Sequence, residues 1–143
     1  MKRLPVIDTN VIVSGILSKN SAPYIVLKSM LQAKFSYLLS LELINEYKRV
    51  LLRGKIQQRH GLTTNEILNI LADITENGII QSLTNISLEV PHKNDNHLWQ
   101  LLFSQPNTIL VTGDQLLLKR PPEFATVMLP KDFLFTASLL SML

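Results

Sequence analysis

Apolar residues in this chain arrive in two kinds of run that alternate along its length. The first kind is short and continuous: Val6-Ile7, Phe35 to Leu39, Ile79-Ile80-Gln81-Ser82-Leu83, Thr108 to Thr112 and Ala125 to Leu129. Blocks of this length read as strands, with Val6-Ile7 and Thr108 to Thr112 having the pattern of buried parallel ones. The second kind has helical spacing. Ile25, Val26, Met30 and Leu31 follow Ser21 and predict a helix over 22–33, with Pro23 tolerated in its first turn. Leu43, Ile44, Tyr47, Val50 and Leu51 predict a helix from Leu41 to about Arg53, capped by Ser40. Ile67, Leu68, Leu71 and Ile74 predict another, capped by Thr63 or Thr64 and stopped at Asn77-Gly78.

Two further helices are expected, one from Val11 to Leu17 with Asn10 as its cap, and one from Asp95 to about Ser104 capped by Asn94. The polar stretch from Gly54 to Gly61 reads as a helix end or loop. Residues 133–143 are very apolar for a chain end and are expected to serve as core, or else as an oligomer contact. Strands alternating with helices make an α/β fold with a parallel sheet covered on both faces.

Composition narrows the chemistry. With 143 residues, 46% apolar and 17% charged, the expectation is one globular domain spanning residues 1–143. No cysteine is present, which excludes disulfide frameworks, zinc ribbons and thiol nucleophiles. Pro5, Asp8 and Asn10 interrupt what would be the apolar core of a signal peptide, and no run of 18 uncharged apolar residues occurs, so a cytoplasmic protein without a membrane span is expected. The net charge of +3 mildly favours a polyanionic partner.

Only 11 residues are acidic, and four of them stand at element ends or beside a buried face. Asp8 follows the first strand directly, and Asp114 follows the strand ending Val111-Thr112-Gly113. In a parallel sheet both would lie on one edge, where ligands of open α/β sheets bind. Glu46 borders the apolar face of its helix, and Asp95 opens another. Each has an ordinary alternative: a turn residue or cap for Asp8 and Asp114, a surface pair with Lys48 or Arg49 for Glu46, a helix-dipole partner for Asp95. Together they form a set that would repel itself unless a divalent cation neutralised it, and the hard ions Mg²⁺ and Mn²⁺ suit carboxylate and water ligands. Thr9, Asn10, Ser14 and Thr112 could orient water or phosphate nearby.

Asp8-Thr9-Asn10-Val11 after a strand, Glu46 within Glu42-Leu43-Ile44-Asn45-Glu46-Tyr47, Asp95-Asn96 opening a helix, and Val111-Thr112-Gly113-Asp114 together resemble the PIN-domain ribonucleases. The nearest likeness is to the toxin–antitoxin branch related to VapC-type toxins. The resemblance implies a three-layer α/β/α fold and a Mg²⁺- or Mn²⁺-dependent endoribonuclease. It also implies a homodimer and an antitoxin protein as partner. Asp8, Glu46, Asp95 and Asp114 match the family's acidic metal-binding positions. Two positions depart from the pattern: the acid-rich run before the third acid is here His92-Lys93-Asn94-Asp95, and Leu116 stands where a second acid often follows Asp114.

Lys48, Arg49, Arg53, Lys55 and Arg59 fall within twelve residues that hold no acid. They suit an RNA backbone, or equally a solvated helix end. Trp99, Phe103 and Phe35 sit at core-like positions, and His60, His92 and His97 read as surface histidines without a Ser or Cys partner. Two competing functions follow. A catalytically degenerate RNA- or protein-binding module would keep the fold and lose the reaction. A phosphoaspartate enzyme using Asp8 would ordinarily place an acid two residues later, where this chain has Asn10.

Overall fold

The computed structural model describes residues 3–83, 90 and 96–141, with side chains described up to residue 137 in the last helix. It opens with β1 (Leu4–Ile7), followed by α1 (Thr9–Leu17), α2 (Ala22–Leu31), β2 (Leu38–Leu39), α3 (Leu41–Leu51), α4 (Gly54–His60) and α5 (Thr64–Asn77). Then come β3 (Ile79–Ile80), α6 (Asn96–Phe103), β4 (Thr108–Val111), α7 (Gln115–Lys119), β5 (Ala125–Met128) and α8 (Pro130–Ser141).

Among the described residues two parallel sheets organise these elements, one in the order β1-β4-β5 and one pairing β2 with β3. Val6 pairs with Leu110 and Leu110 with Val127, so β4 is the central strand of its sheet. Successive strand side chains point to opposite faces. All four residues of β4 are buried, so both faces of that strand are covered. This is the α/β arrangement expected of parallel strands reached by helical crossovers.

Local chemistry explains most helix boundaries. Ser21 and Ser40 cap α2 and α3 by accepting from the amides of Tyr24 at 3.2 Å and Leu43 at 3.0 Å. Thr63 and Glu66 close a reciprocal capping box at the start of α5, with bonds of 3.1 and 3.0 Å. Leu43, Tyr47 and Leu51 form the buried stripe of α3, with Ile44 and Val50 only half-buried at its borders.

Several boundaries differ from the sequence reading. The first helix begins at Thr9 and its cap is Asp8, whose carboxylate accepts from the Thr9 amide at 2.8 Å. Asn10 is therefore inside the helix and not its cap. Gly54 to His60 forms a helix, ended by Gly61 in the left-handed conformation at φ 69°. The predicted strands 35–39 and 79–83 shorten to two residues each. Phe35 turns instead into edge-to-face contacts with Tyr37 and Phe133. Phe103 is half exposed, against Phe124, and not in the core, whereas Trp99 is buried. The apolar chain end divides by face: Phe133 is buried and Phe135 is exposed. Asn94 and Asp95, expected to open α6, lie outside the described residues, as does His92. No helix of the described residues is long and apolar enough to cross a membrane.

Candidate functional site

The carboxyl ends of β1 and β4 meet at one point, and a set of short polar side chains joins them. The last rung of the ladder is the Asp8 amide donating to the Val111 carbonyl at 2.9 Å. Asp8 then turns its side chain over the end of β4, where the Thr112 hydroxyl donates to Oδ2 at 2.8 Å. The Asn10 amide donates to the same oxygen at 3.1 Å, and Oδ1 takes the Thr9 amide. Asp8 is only 5% exposed, and these donors supply its buried carboxylate with hydrogen bonds.

Thr112 links two acids through one hydroxyl. While donating to Asp8, it accepts from the Asp114 amide at 3.0 Å and from Asn10 at 3.2 Å. Asn10 completes the bridge by accepting from the Gly113 amide at 2.9 Å. Asp114 caps α7, taking the Leu116 amide at 2.9 Å. Both acids are thus held by strand-end geometry that no single segment contains.

Glu46 comes to the same place from α3. The hydroxyl of Thr9 donates to its Oε1, and His97 on α6 meets Oε2 at 2.7 Å. Tyr47, the next residue, is fully buried and donates its hydroxyl to the Ile7 carbonyl, tying α3 to the end of β1. Burial pushes the Glu46 carboxyl up, but the hydrogen bonds from His97 and Thr9, with the charges of His97 and Arg49, outweigh it and hold the group below its usual range. Burial, and then the charge of Asp8, push the Tyr47 hydroxyl well above its usual value, so it remains a neutral donor.

His97 is the residue that sequence reasoning missed. Its side chain is 16% exposed and pairs with Glu46, which corrects the expectation of a surface histidine. Its Nδ1 is buried and has no hydrogen-bond partner among the described residues. Helical spacing offers a signal: His97 is four residues before the buried Leu101 and so lies on the same side of the helix. His60 is likewise structural, bonded to the Leu51 carbonyl at 3.1 Å and to the Leu62 amide at 3.0 Å.

Asp8, Thr9, Asn10, Ser14, Glu46, Arg59 and Asp114 line one cleft of about 450 Å³, together with Val13, Leu17 and Val50. Thr112 is fully buried beneath it. Of the five cations singled out in the sequence, Arg59 lines the cleft; Lys48, Arg49, Arg53 and Lys55 do not, although all five are exposed. The unforeseen helix α4 is what brings Arg59 there.

Carboxylate, hydroxyl and amide oxygens are the donors that hard divalent cations take, so the set suits Mg²⁺ or Mn²⁺ in chemistry. An ionised carboxylate has about four acceptor positions, and on Glu46 Thr9 and His97 take one on each oxygen. Among the described residues, however, no three acidic or histidine side chains stand close enough together to hold an ion. Asp95, the fourth acid of the expected set, lies outside those residues.

The family profile described as PIN domain matches residues 5–116, from β1 to the second residue of α7. The span holds both strand ends and every acid of the expected set, and the chain belongs to the PIN-domain family. Neither the curated proteins nor the solved structures give a match. PIN domains are nucleases as a class, hydrolases whose substrate is nucleic acid.

Proposed function

We propose that the protein is a Mg²⁺- or Mn²⁺-dependent endoribonuclease whose site is built from Asp8, Glu46, Asp95 and Asp114 within a single domain of residues 1–143. The observation that carries this reading is that Asp8, Glu46 and Asp114, from three separate elements, line one cleft with Arg59 at the carboxyl edge of the sheet. Such a cleft has acidic groups for a cation and a guanidinium for the phosphate of an RNA strand. When bound, the cation supplies charge neutralisation at the scissile phosphate and lowers the pKa of an attacking water. The chain's own residues do the rest. Thr112, Asn10 and the Thr9 amide hold the Asp8 carboxylate in position, Thr9 and His97 fix Glu46, and the exposed Ser14 can orient water or phosphate. Lys48, Arg49, Arg53 and Lys55 extend a positive surface along which the strand can lie.

The likeness to VapC-type toxins supports a finer reading, in which the protein is the toxin of a toxin–antitoxin pair, acts as a homodimer and is restrained by an antitoxin protein. One experiment tests the core of the proposal: incubation of a mixed RNA pool with the wild type and with Asp8→Asn, in Mn²⁺ and in EDTA. Cleavage by the wild type in Mn²⁺ alone is expected. Equal activity of the two proteins would overturn the reading.

A second reading has its own support. Asp8 is nearly buried with both oxygens engaged, and Leu116 replaces an acid. A chain that kept the fold as an RNA- or protein-binding module would look the same here. Salt-sensitive RNA binding without metal-dependent cleavage is the result that distinguishes it.

A further inference from the structure

The cleft does not end at the acids. Asn10 and Ser14 also form the wall of a second groove, of about 270 Å³, between the start of α2 and the start of α8. Gly113 lines it too, directly before Asp114. The remaining lining is apolar, from Val11, Ala22, Pro23, Leu129 and Pro130, with one charge, Lys131. A polymer held at the acids must continue across the adjoining surface, and this groove adjoins them through two shared residues.

We propose that the groove binds one unpaired ribonucleotide of the substrate strand next to the scissile phosphate; this rests on the nuclease reading above. Three features select that occupant. The volume lies just under the ~300 Å³ at which drug-sized pockets begin, enough for one nucleotide unit and too small for a duplex. Proline and aliphatic walls suit the face of a base, which an unpaired strand can turn outward and a paired one cannot. Lys131 supplies the opposite charge for the next phosphate, and the exposed hydroxyl of Ser14 stands at the seam, where a 2′-hydroxyl can meet it. No aromatic platform is involved, so the groove senses whether a base is present more than which base it is.

The test is an amide-shift titration of ¹⁵N-labelled protein with the four ribonucleoside 5′-monophosphates, deoxyuridine monophosphate and ribose 5-phosphate. The ribonucleotides are expected to move the amides of Ala22, Gly113 and Lys131, and to bind at least about tenfold more tightly than ribose 5-phosphate, which has no base to bury against the apolar walls. Ala22→Phe fills the groove and is expected to abolish the difference. Lys131→Glu, on the exposed rim where folding is not at risk, is expected to weaken all six phosphates about tenfold. Unmoved groove amides, or equal affinity for ribose 5-phosphate, would overturn the proposal; a deoxynucleotide bound as tightly would overturn its restriction to RNA. If Asp8-dependent RNA cleavage persists while the groove amides stay unmoved, the subsite fails and the nuclease reading stands. If nucleotides bind in the groove of a protein that cuts nothing, the subsite stands and the nuclease reading fails.

Discussion

Glu46 shows how a single carboxylate is set by its neighbours. On an isolated helix it would be an ordinary surface acid; here it is half-buried between a hydroxyl from α1 and an imidazole from α6. Its lowered affinity for protons has a consequence with a definite sign. Through the window between the folded and ordinary values, the unfolded chain binds more protons than the folded one. The stabilisation is therefore complete above the ordinary glutamate value of about 4.3 and is lost as pH falls through the folded value. Removing one donor with His97→Ala is expected to shrink that contribution. In urea unfolding, the gap between wild type and variant should be widest above about pH 5 and should narrow toward pH 3. A constant gap would mean that His97 acts through packing alone. Glu46 is partly solvated, so the change is expected to be modest.

At the scale of elements, the register between helices decides where the cleft opens. Gly15 on α1 is buried against the start of α2, and a Cβ there would stand 2.8 Å from the Pro23 carbonyl oxygen. The backbone oxygen cannot step aside as a side chain would, so the two helices must separate to admit it. Gly15→Ala is expected to cost about 1–3 kcal/mol, measured from denaturant midpoints. It should also disturb the neighbouring Ser14 and Pro23, which line the groove. Helix α4 teaches the complementary lesson. Its seven residues contain no buried side chain, so its sequence shows no apolar stripe, and polar composition pointed to a loop. It is stopped by Gly61 at φ 69°, a conformation that glycine adopts without steric cost. Strand pairing and burial also part company in the short strands: Tyr37, Leu38 and Leu39 are all buried but only Leu38 and Leu39 pair, whereas Ile79 and Ile80 pair with them and remain exposed.

At the scale of the molecule, positive charge and acid cleft lie on elements joined through α3 and α4. The exposed cations Lys48, Arg49, Arg53 and Lys55 lie in the chain between Glu46 and Arg59, the two residues of this stretch with a charge in the cleft. RNA affinity of the cleavage-defective Asp8→Asn protein is therefore expected to fall steeply with salt. Each phosphate contact contributes about 0.7 to the slope of log K against log salt for a single strand. Arg59→Ala in that background should lower the slope by roughly one contact, with affinity reduced alike across sequences. An unchanged slope would remove Arg59 from the RNA path.

The α/β fold was legible from the chain alone because alternating short apolar blocks and helical stripes leave few ways to bury both. The same holds for the acids at strand ends: a carboxylate directly after a buried strand must stand at the sheet's carboxyl edge, and this could be said of Asp8 and Asp114 from local pattern. What the pattern could not hold was any relation between distant segments. That Thr112 would serve Asp8 and Asp114 at once, that His97 would pin Glu46, and that Arg59 would share their cleft all depend on packing across tens of residues. Even the cap of the first helix turned on this, since Asn10 was drawn away to the end of β4 and Asp8 took the amide. Local propensity sets which residues can reach the sheet edge. Only the tertiary structure decides which of them meet there, because hydrogen-bond partners are chosen by distance in space.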